Sequence, residues 1–326
     1  MKIGSVNLTS PVILAPMAGV SDYPFRKIVK SFGAGMVCSE MVASRAVIES
    51  LKREEVRKRL FFFDSSKEDA PVSIQLVGND PLIMAEAAKF NEQLGASVID
   101  INMGCPVKKV VNTDAGASLM KNELLAAQII RATVKSVSIP VTVKMRLGWD
   151  SQHLNASNIA KIAESEGASA IIIHGRTRSQ FYEGTADWIS IGNMKQVVSI
   201  PVIGNGDVKS VKDASELITL CDGIMVGRGA CGRPWLLMQI ETFLQSGSFL
   251  SVEKDIDTVL QTIRKHLVLI IDTYGEYKGI RLARKHLDWY SKGLAGSAAF
   301  RSAVNTTETK TKLYELVDRF FAGNIE

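Results

Sequence analysis

The chain predicts an α/β fold: a (β/α)8 TIM barrel over residues 1–245, followed by a small all-helical domain over 246–326. Three observations predict it. Short apolar runs recur eight times with almost no polar interruption, as parallel strands covered on both faces must. Amphipathic stretches of helical period lie between them. The units fill about 240 residues, a length that suits such a barrel, and a basic stretch follows.

The strands are expected at Val12–Ala15, Met36–Cys38, Val72–Leu76, Val98–Asn102, Val141–Met145, Ala170–Ile173, Val202–Gly204 and Gly223–Val226. Pro81–Leu94 is expected to be a helix burying Ile83, Ala87, Phe90 and Leu94. Glu123–Val137 and Asn155–Glu166 carry the same kind of pattern. The segment Arg45–Asp64 breaks the rhythm with a charged helix and then Leu60-Phe61-Phe62-Phe63, which reads as an elaborated second connection.

Composition excludes several classes. Of 326 residues, 46% are hydrophobic and 22% charged, ordinary for a globular chain with a large core. No run of about 18 uninterrupted apolar residues suggests a membrane span. Met1–Ser5 lacks the apolar core of a signal peptide. Cys38, Cys105, Cys221 and Cys231 are far apart, which argues against zinc, iron–sulfur clusters and disulfides and suits a reducing cytoplasm. A monomer is the expected state. The net charge is +5, yet Lys278–Lys312 alone holds eight Lys/Arg against two acids, so a polyanionic partner is expected there.

In this fold the active site lies at the C-terminal ends of the strands. Here every strand end carries polar chemistry or glycine. The first ends in Pro16-Met17-Ala18-Gly19, the second in Ser39-Glu40 and the third holds Gln75. The fourth gives Asp100, Asn102 and Cys105, the fifth Lys144 and Arg146, and the sixth His174-Gly175-Arg176. Asn205-Gly206-Asp207 and Gly227-Arg228-Gly229 follow the last two. One polar tip is commonplace, but eight in register predict a site.

Within the fourth tip, Asn102 can bond a planar heterocycle through its amide and Gly104 lets backbone approach a ligand. Cys105 offers a thiol that can give a proton, and Pro106 restricts its backbone. The loops after the last two strands read as a monophosphate handle, with a helix N-terminus and Arg228 contributing positive charge. Gly227–Gly232 matches the glycine spacing of a dinucleotide fingerprint, but it closes the barrel instead of opening a second nucleotide fold. A phosphate site at one end, with Gln75, Lys144 and His174 across the mouth, suits flavin mononucleotide. A lysine cation near the pyrimidine edge favours reduced flavin electrostatically.

The segments APMAGVSDYPFR (15–26), SEM (39–41), QLVG (75–78), DINMGCPVKKV (100–110), GASLM (116–120) and VKMRLGW (143–149) recur in one known family. So do IHGRTR (173–178), VIGNGDV (202–208), VGRGACGRPW (226–235) and RLARKHLDWY (281–290). In wording, order and spacing the chain resembles the tRNA-dihydrouridine synthases, most of all the bacterial B type. The resemblance implies an FMN-bound barrel, NADPH (or NADH) as electron donor, and reduction of the C5–C6 bond of a tRNA D-loop uridine, with position 17 favoured. Carried over by motif, Pro16, Met17, Ala18, Gln75, Lys144, His174, Asn205, Gly206, Asp207, Gly227 and Arg228 would contact the flavin. Cys105 would be the general acid. Asn102, Arg146 and Arg176 would face the uracil or its flanking phosphates.

The expected helix Lys278–Lys292 supplies Lys278, Arg281, Arg284 and Lys285 as candidate RNA contacts. On one face lie Lys278, Arg281, Lys285 and Lys292, on another Leu282, His286, Trp289 and Tyr290. The nearest rival is an FMN-dependent reductase or dehydrogenase of small pyrimidines, such as a dihydroorotate dehydrogenase, for which the basic C-terminal extension is superfluous. A second rival is a non-enzymatic RNA-binding protein on a retired barrel, which would take up no flavin.

Overall fold

A computed structural model describes residues 1–51, 66–69, 71–252 and 255–323. A small antiparallel hairpin, β1 (Lys2–Ile3) and β2 (Val6–Asn7), comes first. The barrel then runs β3 (Val12–Leu14), α1 (Tyr23–Ser31), β4 (Met36–Cys38), β5 (Val42–Ala43), α2 (Ser44–Leu51), β6 (Val72–Val77), α3 (Pro81–Gln93) and β7 (Val98–Met103). It continues through α4 (Lys108–Val111), α5 (Glu123–Ser136), β8 (Val141–Arg146), α6 (Ala156–Ser165), β9 (Ala170–His174) and α7 (Trp188–Asn193). Strand β10 (Val202–Asn205), α8 (Val211–Leu217), β11 (Gly223–Val226) and α9 (Leu236–Ser246) complete it.

All eight expected strands are present among the described residues, within one residue at each end. They pair in parallel, β3–β4–β6–β7–β8–β9–β10–β11, and β11 returns to β3 to close the cylinder. The two-residue β5 is an extra strip on β6. The charged helix expected from Arg45 appears as α2, while the Leu60–Phe63 run lies outside the described residues.

Strand alternation sorts the side chains. One set, with Val37, Ile74, Ile99, Val143 and Ile171, packs outward in a core shared with the helices. The other forms an inner core of Ile13, Met36, Val98, Ala170, Ile172, Ile203 and Met225. Ile3 of the hairpin and Leu8 just after it join this inner core, with Met1 and Val6 packed against it. The same inward alternation carries polar groups toward the other end, with Asn102 beside Lys144 and Arg146 beside His174, itself beside Asn205. In α3 the buried residues are Met84, Ala87, Ala88 and Asn91, and Ile83, Phe90 and Leu94 are only half-buried. The apolar stripe is thus rotated by about one residue from the expected one, because helical side chains lean toward the N-terminal turn.

Among the described residues four helices follow: α10 (Ile256–Tyr274), α11 (Glu276–Tyr290), α12 (Ser297–Thr306) and α13 (Lys310–Ala322). They surround a second core of Ile263, Leu267, Ile280, Leu287, Phe300, Val317 and Phe321, which Trp235 enters from the end of the barrel. By contrast, Leu236, Leu237 and Ile240 of α9 belong to the barrel core. Helix α1 connects the two. Asp22 caps it by accepting from Phe25 N, and the Tyr274 hydroxyl of α10 donates to the other Asp22 oxygen at 3.0 Å.

Candidate active site

The C-terminal mouth of the barrel opens into a two-lobed cavity. The larger lobe, about 350 Å³, is lined by Pro16, Met17, Ala18, Met41, Gln75, Asn102, Cys105, Lys144, Arg146, His174, Tyr182, Arg228, Cys231 and Trp289, among others. The smaller, about 110 Å³, adds Asn205, Gly206, Asp207, Gly227 and Gly229. Pro16, Met17, Lys144, His174, Tyr182 and Arg228 border both.

Two hydrogen-bond chains hold the inward polar groups. In the first, Thr142 Oγ1 donates to Asp100 (2.6 Å) and Gln75 Nε2 to its other oxygen (2.7 Å). Asn102 Nδ2 donates to Gln75 Oε1 (2.7 Å), while Asn102 Oδ1 accepts the N–H groups of Gly104 (3.0 Å) and Cys105 (2.9 Å). In the second, Lys144 Nζ donates to Asn205 Oδ1 (2.9 Å), whose own amide donates to Met225 O (2.8 Å). Burial pushes the Asp100 carboxyl up to about 6 and the Lys144 ammonium down to about 8, each partly countered by the other's charge. Near neutrality the pair is carboxylate and ammonium.

Cys105 is half-buried, and burial pushes its thiol up against the opposing pull of Val107 N–H, Arg146 and Lys144. A raised value keeps the proton on sulfur, as a proton donor requires. His174 is driven down to about 2 by burial and by Lys144, Arg146, Arg176 and Arg228, so its ring is neutral. Arg176 can only donate, so the contact from its Nη1 to His174 Nε2 (3.4 Å) leaves the ring proton on Nδ1.

The smaller lobe is built by backbone. Gly206 has φ +120 and Asp207 φ +58, a turn suited to directing successive N–H groups at an anion. A Cβ on Gly206 would lie 2.7 Å from Ala186 Cβ and 2.9 Å from His174 Cδ2, so glycine is required there. A helix N-terminus was expected beside this lobe. After β11 a short 3-10 turn, Arg228–Ala230, comes first and α9 begins only at Leu236, whereas α8 begins at Val211, two residues past the lobe-lining Lys209. Positive charge comes from turn backbone, Lys144, Lys209 and Arg228, the last with its guanidinium 3.5 Å from Asp207.

Of the three expected substrate contacts, the structure puts Asn102 and Arg146 in the cavity lining and Arg176 behind it. Arg176, 1% exposed, does not line the cavity: its Nε and Nη2 donate to the carbonyls of Glu183 and Gly184 and to Asp207. It holds the 176–184 loop. Arg146 lines the larger lobe but donates through Nε to Gly104 O and through Nη1 to Thr177 O and Phe181 O. Asn102 faces the lobe with its oxygen already bonded to the Cys105 turn. Burial makes unbonded donors costly, so these groups pair first with nearby backbone.

The basic helix is α11, and its cations diverge. Lys278 lies over the Tyr274 ring (4.8 Å) and Arg281 over Tyr277 (3.5 Å). Lys285 reaches Gly19 O at the barrel rim. Arg284 donates to Thr307 O and borders a separate groove with Arg281 and Lys285.

A model of the dihydrouridine synthase family matches residues 13–325. The chain belongs to this family. It is 48% identical over 330 residues to a probable tRNA-dihydrouridine synthase of Rickettsia bellii, covering 100% of this chain and 99% of the relative. It is 43% identical to tRNA-dihydrouridine synthase B of Xanthomonas campestris pv. campestris, covering 98% and 96%. Among solved structures, histamine dehydrogenase from Rhizobium sp. 4-9 shares the fold, with a TM-score of 0.59 at 12% identity over 100% of this chain and 63% of that one. Members of this family are flavin-dependent oxidoreductases, and the chain is an enzyme of that kind.

Other residues complete the synthase mouth. Tyr182 borders both lobes, with Arg228 at 4.6 Å and Arg146 at 5.6 Å from its ring. Its signal was an aromatic pair, Phe181-Tyr182, in an otherwise polar loop. Trp289 and Cys231 also line the larger lobe. Among the described residues no helix is long and apolar enough to cross a membrane, and no group of three or more His, Cys, Asp or Glu could hold a metal.

Proposed function

We propose that this dihydrouridine synthase reduces the C5–C6 double bond of a D-loop uridine in tRNA, with FMN as its flavin and NADPH as electron donor. One observation carries the reading: the Cys105 thiol shares a cavity with Lys144, Gln75 and His174, and that cavity continues into a glycine-turn lobe. The small lobe suits a monophosphate, held by the turns at Gly206-Asp207 and Gly227-Arg228 and by the Arg228 charge. Gln75, Lys144, His174 and Asn205 would hold the ring system, and Pro16, Met17 and Ala18 its apolar side. When bound, the flavin supplies the hydride that goes to C6 of the uridine.

The chain's own residues do the rest. Cys105 delivers its proton to C5. The ammonium of Lys144, fixed by Asn205, places positive charge where negative charge develops on the pyrimidine carbonyls. Asn102 and Arg146 keep the Cys105 turn in place. Tyr182 and Trp289 offer aromatic surface to a base swung out of the RNA. Residues 1–245 then form the catalytic unit and 246–326 an RNA-holding unit.

Cys105→Ala tests the assignment. The variant should keep its flavin and still oxidise NADPH, but dihydrouridine in unmodified tRNA, mapped by mass spectrometry, should fall at least about 100-fold. Normal product formation would remove Cys105 from the chemistry. Activity on free uracil or orotate, with none on tRNA, would favour a small-pyrimidine reductase.

A further inference from the structure

The geometry points to a groove between α11 and α12 as the seat of one RNA phosphodiester, with Asp288 as its built-in competitor. The inference rests on the tRNA-substrate reading. Arg281, Arg284 and Lys285 of α11 and Arg301 of α12 border a cavity of about 410 Å³, with Leu287 and Phe300 among its apolar lining. Lys285 turns its ammonium out to Gly19 O, and the three guanidinium residues left around one space repel unless an anion lies among them. The cavity lining supplies one acid, Asp288, whose Oδ1 is 3.1 Å from Arg301 Nε.

A second observation concerns Arg284. One of its terminal nitrogens donates to Thr307 O at 3.2 Å, while its Nε is buried without a hydrogen-bond partner. An anion entering the groove would give this guanidinium the acceptor that the protein does not. Forked arginine donors match phosphate oxygens in shape as well as charge. The groove also lies along the RNA's route: Lys285 reaches the barrel rim at Gly19, and Trp289 of the same helix lines the active-site lobe. A strand whose uridine enters the barrel would thus carry a neighbouring phosphate past these arginines. Arg301 would then exchange Asp288 for the phosphate.

Asp288→Asn and Arg301→Gln break the same ion pair. Were that pair only a tie between helices, the two variants would behave alike. A phosphate seat separates them. Asp288→Asn should tighten binding of an unmodified tRNA transcript about threefold. Arg301→Gln should weaken it on the order of tenfold and lower the slope of log Kd against log salt by about one. Both side chains are partly exposed, and flavin absorbance reports that each variant is folded. Should Arg301→Gln not fold, the Asp288→Asn arm decides alone. Unchanged or weaker binding by Asp288→Asn, in an enzyme that still forms dihydrouridine, overturns the groove and leaves the substrate reading standing. A wild-type enzyme that neither binds nor reduces tRNA overturns both.

Discussion

Cys105, the proposed proton donor, owes its position to three neighbours. Asn102 Oδ1 gathers the N–H groups of residues 104 and 105, and Arg146 holds Gly104 O. Behind the turn stands Gly116, at φ +61. A Cβ there would come within 2.8 Å of Val110 Cγ1 and 2.9 Å of Cys105 O. Gly116→Ala should therefore displace the thiol, at a stability cost of about 1–2 kcal/mol. The expected result is tRNA reduction lowered by on the order of tenfold or more, with flavin content and NADPH oxidation near normal. Equal retention of all three would show that the turn tolerates the strain. The sequence made Asn102, Gly104 and Cys105 conspicuous as a group. It could not divide their labour, because the partner of an amide or guanidinium is whichever group the fold brings close. Gly116 stood in a matched motif, yet its role was hidden because a glycine's reason lies in what a Cβ would strike.

Strands were the most legible elements. A barrel strand buries both faces, so β9 and β10 read as apolar runs up to His174 and Asn205, and β6 to β8 depart from this only at inward positions such as Gln75, Asp100 and Lys144. Helix faces were less legible, as the rotated stripe of α3 shows. Least legible was the packing of α10 on α11, where His266 and His286 meet edge to face at 4.5 Å. His286 has neither ring nitrogen bonded, and His266 has only Nδ1 bonded, to the Tyr290 hydroxyl. Burial holds His266 down to about 3 and His286 well below its ordinary value, with Lys285 adding repulsion to both. The unfolded chain therefore takes up these protons first. The stability linked to the neutral rings is fully present above about pH 6.5 and is lost as pH falls below it toward the folded-state values. Each ring contributes a loss of about 1.4 kcal/mol per pH unit, so the pair should cost about 3–4 kcal/mol by pH 5. Phe at 286 removes one titrating ring without breaking a hydrogen bond. Urea unfolding at pH 7 and pH 5 should show that His286→Phe loses roughly half as much stability as the wild type. The same loss in both proteins would place the acid sensitivity elsewhere.

At the scale of the molecule, the barrel holds the lobed cavity and the helical bundle completes its rim with Trp289. The two meet along α1 and α10, where the Phe25 ring lies against His266 and His286, and around Trp235 and Gly232. Trp235, at the end of the barrel chain, packs in the bundle core against Tyr290, with ring centroids 6.3 Å apart. Gly232, at φ +75, lies against α11: a Cβ on it would fall 2.4 Å from Trp289 O and 2.6 Å from its carbonyl carbon. That obstacle is backbone and cannot rotate away. Gly232→Ala must therefore push α11 from the turn that follows β11, at a cost on the order of 3 kcal/mol. Trp289 and Lys285 would move with the helix, altering the larger lobe and the contact with Gly19. The lobe built by Gly206, Asp207 and Gly227 rests on barrel backbone and should keep its shape. Reduction of tRNA should thus fall far more than NADPH oxidation, and thermal unfolding should begin at a lower temperature. Parallel loss of both activities, with flavin release, would instead mean that bundle and barrel share one site that cannot be loosened in part.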